Sequence, residues 1–197
     1  MASRPRRRES LAEQRARRAE IDDPAVVLEA AARFLEVRSR SVAEVRRRLG
    51  RAGYLDTLVE GAIVRLTELG MLDDATFARA WVESRDRARP RGERAIREEL
   101  RLKGIDRETV DVVLGDRRDL AAAAAEVAEA TGEMSDRSPD RVAAERLVAK
   151  HARALARVVD PRQRRQRAYA LLARHGFDPE TCREVAAMAA GDDAVVP

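Results

Sequence analysis

The sequence predicts an all-α protein made of tandem three-helix repeats. Three observations lead there. One phrase is written three times: Leu49-Gly50-Arg51-Ala52-Gly53-Tyr54, Leu100-Arg101-Leu102-Lys103-Gly104-Ile105 and Leu172-Ala173-Arg174-His175-Gly176-Phe177. Leucine in a last helical turn, glycine just past it and an apolar residue next is a helix C-terminus, because glycine enters the left-handed region without a Cβ penalty and the apolar residue folds back on the last turn. Each copy follows an arginine-rich helical stretch and precedes another helix, so the phrase marks a repeated unit. Finally, aromatics are 3% and charged residues 38% of 197 residues. That supply cannot fill one large core, but it suits thin helical modules lined with Ala, Leu and Val.

Residues 1–22 are polar, arginine-rich and without periodicity, and read as a disordered basic tail. Deleting 1–20 is expected to leave melting unchanged. The first repeat covers 23–72. Its opening helix starts at Asp22, Asp23 and Pro24, with Val27, Ala30, Ala31, Phe34 and Leu35 at helical spacing. Ser41-Val42-Ala43-Glu44 is a capping box for the middle helix. Val42, Val45 and Leu49 form its buried stripe, and Gly53 ends it. Asp56 is the expected cap of the closing helix, with Leu58, Val59, Ala62, Ile63, Leu66 and Leu69 facing inward and Gly70 as its stop.

The second repeat covers 73–115. Asp73 and Asp74 start a helix with Phe77, Ala78, Trp81 and Val82 on one side, and the segment 90–92 breaks it. Ile96 and Leu100 face inward from the middle helix, and Asp106 caps a short closing helix with Val110, Val113 and Leu114. Leu49 and Leu100 are 51 residues apart, whereas Leu100 and Leu172 are 72 apart. The excess falls in a connector over 116–140, read as an extra alanine-rich helix to Ala130 and a loop over 131–140. The third repeat covers 141–190, with Val142, Leu147, Val148 and Leu155 in register. Pro161 opens its middle helix, and Asp178-Pro179-Glu180 opens its last one with cap, N1 proline and acidic first turn. Residues 191–197 are expected to fray.

Composition also excludes. No stretch approaches the roughly 20 apolar residues of a membrane span, and the basic N-terminus lacks the apolar core of a secretory signal. Cys182 is the lone cysteine, so a reducing cytoplasmic setting is expected. His151 and His175 fall on different helices, and no CxxC, HExxH or glycine-rich phosphate loop is present. The expectation is a monomeric binding protein, not an enzyme, with no cofactor and no metal. Cys182 reads as a small semi-buried apolar residue, His175 as a last-turn residue, Asp73-Asp74 as a capping pair and Trp81 as core.

The charge is placed with purpose. Residues 1–20 hold seven arginines against three glutamates, which accounts for the whole formal net charge of +4. Within the neutral body the middle helices are basic and the closing helices lean acidic, so each unit is polarised. Stacked units would align a basic ridge, and Arg46, Arg47, Arg48, Arg51, Arg94, Arg97, Arg101, Lys103, Arg164, Arg165, Arg167 and Arg174 are the candidate partner-binding residues. The plainer reading of any one of these helices is a solvated face that keeps the chain soluble. Without interleaved aromatics the ridge does not read as a base-stacking groove.

The stretch Gly70-Met71-Leu72-Asp73-Asp74, Phe77-Ala78, Trp81-Val82, Arg85, Gly92, Arg94-Ala95-Ile96, Glu99-Leu100 and Lys103-Gly104-Ile105 resembles the central signature of the RecX family of regulatory proteins. That signature is Gly-(Leu/Met)-(Leu/Ile)-(Asp/Asn)-Asp-x-x-Phe-Ala, followed by Ile-x-x-Glu-Leu-x-x-Lys-Gly-Ile. The phrase at Leu172–Phe177 is similar to the family's closing Leu-x-Arg-(Arg/His)-Gly-Phe. The resemblance implies tandem three-helix repeats forming an elongated, curved array, and binding along the groove of the RecA recombinase filament, restraining recombination, ATP hydrolysis and co-protease activity. The alternative is a helical-repeat protein that binds DNA directly, with arginines on phosphates.

Overall fold

The computed structural model describes residues 9–130 and 138–191. Residues 1–8 of the expected tail, 131–137 of the loop expected over 131–140 and 192–197 of the end expected to fray lie outside these residues. Among the described residues every regular element is an α-helix: α1 (Leu11–Ala19), α2 (Pro24–Glu36), α3 (Val42–Ala52), α4 (Asp56–Glu68), α5 (Asp74–Ala88), α6 (Glu93–Leu102), α7 (Arg107–Ala130), α8 (Pro139–Ala156), α9 (Pro161–Arg174) and α10 (Pro179–Ala190). The three repeated phrases end α3, α6 and α9. Gly53, Gly104 and Gly176 have φ of 100°, 82° and 82°. In each copy the following apolar N–H, from Tyr54, Ile105 or Phe177, donates to the carbonyl of the phrase's leucine at 3.4, 3.1 and 3.4 Å. This is a Schellman closure, and it satisfies a carbonyl the helix would otherwise leave open.

The chain divides into two compact units, 1–77 and 78–197. In the first, α2, α3 and α4 pack pairwise around Val27, Ala31, Val45, Leu49, Val59, Ala62, Ile63, Leu66 and Leu72. Asp23 accepts from the Ala25 amide at 2.8 Å to start α2. Ser41 and Glu44 form the reciprocal capping box of α3. Two expectations are corrected. Asp56 is not the cap of α4; Leu55 takes that position without a side-chain bond, and Asp56 sits in the first turn, where its charge favours the helix N-terminus. Leu69 does not face inward: it lies past the last turn and is half exposed.

The largest departure in this unit is α1, which occupies much of the segment read as a disordered tail. Ser10 and Glu13 form a capping box, and the helix packs on α3. Arg18 donates to the Ala52 carbonyl at 3.3 Å and lies 5.9 Å from the Tyr54 ring centre. The backbone of Arg15 presses on Gly53, where an added Cβ would fall 2.7 Å from the Arg15 carbonyl oxygen. No residue of α1 is buried, which is why apolar periodicity does not reveal it.

In the second unit, Val82, Ile96, Leu100, Ile105, Val110, Val113 and Leu114 are buried, and α8, α9 and α10 pack on Ala143, Ala144, Leu147, Leu171, Leu172, Phe177, Cys182 and Val185. The extra helix expected from 116 is not separate. The closing helix capped by Asp106 continues unbroken through Gly115 as the 24-residue α7. Gly115 lies in open space there, and one interior glycine costs only about 1 kcal/mol, too little to end a long helix.

Candidate functional site

The residues of the signature do structural work. Asp73 caps its own helix through the Ala75 amide at 2.9 Å, whereas Asp74 reaches across to the Val42 amide at 2.9 Å, a free donor at the start of α3. The carboxylate pair is thus two caps on two helices. Trp81 is half-buried instead of fully core. Its indole Nε1 donates to Glu99 Oε2 at 2.8 Å, and Arg85 Nε donates to the same oxygen at 2.6 Å. Arg91 reaches the other Glu99 oxygen at 3.6 Å. Arg85 and Lys103 stand 4.3 and 4.8 Å from the Trp81 ring centre, cation–π distances worth about 0.5–1 kcal/mol or more each. Glu99 therefore gathers α5 and α6 around one aromatic.

A second cluster was not legible as a site. Arg117 of α7 has a side chain only 7% exposed. It holds Asp86 of α5 with Nε and Nη2 at 3.0 and 2.7 Å, and Asp140 of α8 with Nη1 at 2.7 Å. The other Asp140 oxygen accepts the Glu93 amide that opens α6, at 2.8 Å. Three helices thus meet on one guanidinium, and Asp140 ties in a fourth, α6. Burial pushes the Asp140 carboxyl above its ordinary value, against the opposing bonds from Glu93 and Arg117. Beside this cluster the Gly92 amide donates to the His175 carbonyl at 3.1 Å, so His175 serves the packing of α6 against the end of α9.

The twelve candidate arginines and lysine divide by what holds them. Arg46 forks onto Glu60 at 2.5 and 2.6 Å; Arg97 pairs with Asp111 and with Glu93; Arg101 forks onto Glu98 at 2.8 and 2.6 Å. These hydrogen bonds hold the carboxyls of Glu60, Asp111 and Glu98 below the ordinary range. Lys103 covers Trp81. Arg164 is spent on carbonyls, reaching Val158 at 3.1 Å and Val159 and Ala190 at 3.4 Å. Arg165 is exposed and engaged within the chain. Arg47, Arg51, Arg94, Arg167 and Arg174 are exposed, with no hydrogen bond or ion pair to any described residue. Arg167 and Arg174, two turns apart, share one face of α9.

Arg48 is exposed and stands 5.7 Å from the Phe34 ring centre, while Arg40, which was not among the candidates, stands 4.3 Å from it. Arg38 reaches Glu44 at 3.5 Å. The Nε of Arg40 is buried and makes no hydrogen bond. Burial first, and the neighbouring Arg38 next, push the Arg40 guanidinium below its ordinary pKa.

Nothing among the described residues assembles a metal site from three or more His, Cys, Asp or Glu side chains. Cys182 is fully buried, its Sγ 3.6 Å from the Phe177 carbonyl. Burial, with Asp178 nearby, raises its pKa and leaves it a thiol. Among the described residues no helix is long and apolar enough to cross a membrane.

Fold and surface together define a helical-repeat protein with basic middle helices. Comparison with known proteins places it. Residues 28–66, 73–114 and 140–186 match the first, second and third three-helix domains of RecX. The chain is 43% identical to the regulatory protein RecX of Mycolicibacterium smegmatis over 84 residues, which span 43% of this chain and 45% of that protein. It is 33% identical to the regulatory protein RecX of Mycobacterium leprae over 153 residues, 78% of this chain and 79% of that one. The crystal structure of RecX from Lactobacillus salivarius shares the fold at a TM-score of 0.67 and 18% identity, covering 85% of this chain and 97% of that chain. The chain belongs to the RecX family of regulatory proteins.

Proposed function

We propose that the chain is a non-enzymatic, cytoplasmic regulator that binds the RecA–DNA filament as a monomer and restrains its recombinase, ATPase and co-protease activities. The observation that carries this reading is family membership across all three domains, joined to middle helices that present unpaired guanidinium groups at Arg47, Arg51, Arg94, Arg167 and Arg174. An arginine with no internal carboxylate has no ion pair to break before meeting an anionic surface, so these five are the first candidates for contact. Arg46, Arg97, Arg101 and Arg164 act in this reading mainly as supports for their own domains.

Direct DNA binding is the second reading, favoured by the same free guanidiniums. The two separate on salt. Contacts to phosphate release counterions and lose affinity steeply as salt rises, whereas a mixed protein surface loses less. Co-sedimentation with preformed RecA–single-strand filaments and with naked DNA, at matched salt, decides between them. Binding to filaments at salt where naked-DNA binding has faded is the expected result. Equal affinity with the same steep slope would sink the regulatory reading.

A further inference from the structure

Aligning the first two domains on their phrase glycines, Gly53 and Gly104, sets Ser41 opposite Gly92, Arg40 opposite Arg91 and Arg48 opposite Glu99. Ser41 and Gly92 are both N-caps of middle helices, so the register is structural as well as sequential. In the second domain the arginine ahead of the cap, Arg91, finds a carboxylate at the aligned position, 3.6 Å away on Glu99. In the first domain that position is Arg48. The arginine ahead of the cap, Arg40, therefore shares an aromatic with another arginine where its counterpart pairs with a glutamate.

The first domain thus carries a charge arrangement that is unfavourable as it stands. Two guanidiniums crowd one ring, a third on Arg38 is adjacent, and one buried Nε–H goes unanswered. A buried donor without a partner is unfavourable. Glu44 is the carboxylate within reach, and it already closes the cap of α3 and pairs with Arg38. An external oxyanion, met by exposed Arg48 and the accessible part of Arg40, would relieve the like-charge crowding.

We propose that Arg40 and Arg48, gathered on Phe34, form a seat for a phosphodiester oxygen of a nucleic-acid strand, in the place that Glu99 fills in the second domain. The charge density chooses phosphate over a protein carboxylate. One carboxylate brings one charge, whereas the free Arg47 and Arg51 continue the cationic surface along α3. A nucleic-acid strand supplies a charge about every 3.4 Å along its axis, so successive phosphates meet successive guanidiniums. The planar fork of arginine also suits two oxygens of one phosphate. The seat does not require the recombinase and so goes beyond the regulatory reading.

The test uses the full chain with a labelled single-stranded oligonucleotide, measuring affinity across a salt series. Arg40→Gln and Arg48→Gln are each expected to lower the slope of log affinity against log salt by about 0.7, the share of one phosphate on a single strand. Arg33→Gln removes the same charge from α2, where Arg33 pairs with Glu29, and is expected to leave the slope unchanged. Arg48→Glu recreates the pairing of the second domain. It is expected to keep or raise the melting temperature while giving up the phosphate, so the test stands even where Arg40→Gln fails to fold. Equal slopes for Arg48→Gln, Arg48→Glu and Arg33→Gln would overturn the seat and leave the regulatory reading untouched. A lower slope in a chain that ignores RecA filaments supports the seat and removes that reading. An Arg48→Glu chain that no longer binds filaments but keeps the wild-type slope on bare DNA would assign these arginines to a protein carboxylate instead.

Discussion

A Cβ added to Gly92 would fall 2.3 Å from the carbonyl oxygen of Gly176, so the entry of α6 and the exit of α9 meet backbone to backbone. Gly92 has a φ of −72°, which any residue can adopt, and its requirement is space alone. Gly176 needs both space, with Ala95 Cβ 2.4 Å from its own added Cβ, and a positive φ. Gly92→Ala is expected to destabilise the second unit by about 2–3 kcal/mol through overpacking. Gly115→Ala, in open helix, is expected to stabilise it by about 0.5–1 kcal/mol. Urea denaturation of both variants checks the pair, and similar effects at the two positions would refute the close approach.

Arg117→Ala should be among the most damaging substitutions in the chain. It leaves Asp86 and Asp140 without the guanidinium they share, and removing one member of a buried ionic group costs about 3–5 kcal/mol. Chemical denaturation monitored by circular dichroism reads this directly. A loss below about 1 kcal/mol would mean that water replaces the guanidinium without the penalty expected of a buried pair.

Two capping aspartates of the second unit should respond to pH in opposite senses. Asp178 accepts the Glu180 and Thr181 amides, both at 2.9 Å, and the Thr181 hydroxyl at 2.6 Å; although burial opposes them, these bonds hold its carboxyl below the ordinary value. Its folded pKa lies under its unfolded one, so its contribution is present above about pH 4 and lost as pH falls through the folded value. Asp140 is raised, chiefly by burial, so its contribution is fullest below about pH 4 and shrinks as pH rises through the folded value. Asp178→Asn is expected to flatten the acid side of the stability–pH curve, and Asp140→Asn to flatten the fall on the rising side. Stability measured across the acid range up to neutrality tests both signs.

Deleting residues 1–20 should lower the melting point of the first unit, contrary to what the composition of that segment suggests. The contacts of Arg15 and Arg18 with Gly53, Ala52 and Tyr54 lie near the surface, so a loss of about 1 kcal/mol is expected. Differential scanning calorimetry of the truncated chain tests it, and an unchanged transition would show that α1 does not stabilise α3.

The elements that sequence reading recovers are those whose signals are local. Gly53, Gly104 and Gly176 end helices through their own φ, and Ser41, Asp106 and Asp178 start helices through amides two or three residues on. The same rule could have found α1, because Ser10 and Glu13 repeat the spacing of Ser41 and Glu44; the missing apolar stripe hid it. Arg117 was hidden differently. It lies at the helical spacing of Val110, Val113 and Leu114, on the buried stripe, but inside the charged run Asp116-Arg117-Arg118-Asp119, where charge reads as solvent. Which arginines are spoken for depends on partners in another helix. Arg46 with Glu60 and Arg97 with Asp111 sit at the same place in successive repeats, three residues before the phrase leucine, and only packing shows that both reach the closing helix.

The unbroken course of α7 sets a constraint on how chains of this kind can change length. Each residue inserted or deleted between Leu114 and Arg117 turns everything beyond it by about 100° and shifts it by about 1.5 Å. One such change would swing the guanidinium away from Asp86 and Asp140 while leaving Val110 and Val113 in their core. Insertions beyond Ala121 carry no such penalty, since no buried side chain follows on the described part of that helix. Related chains should therefore vary freely in the length of the distal half of this helix and hold the stretch from Arg107 to Arg117 to a fixed count.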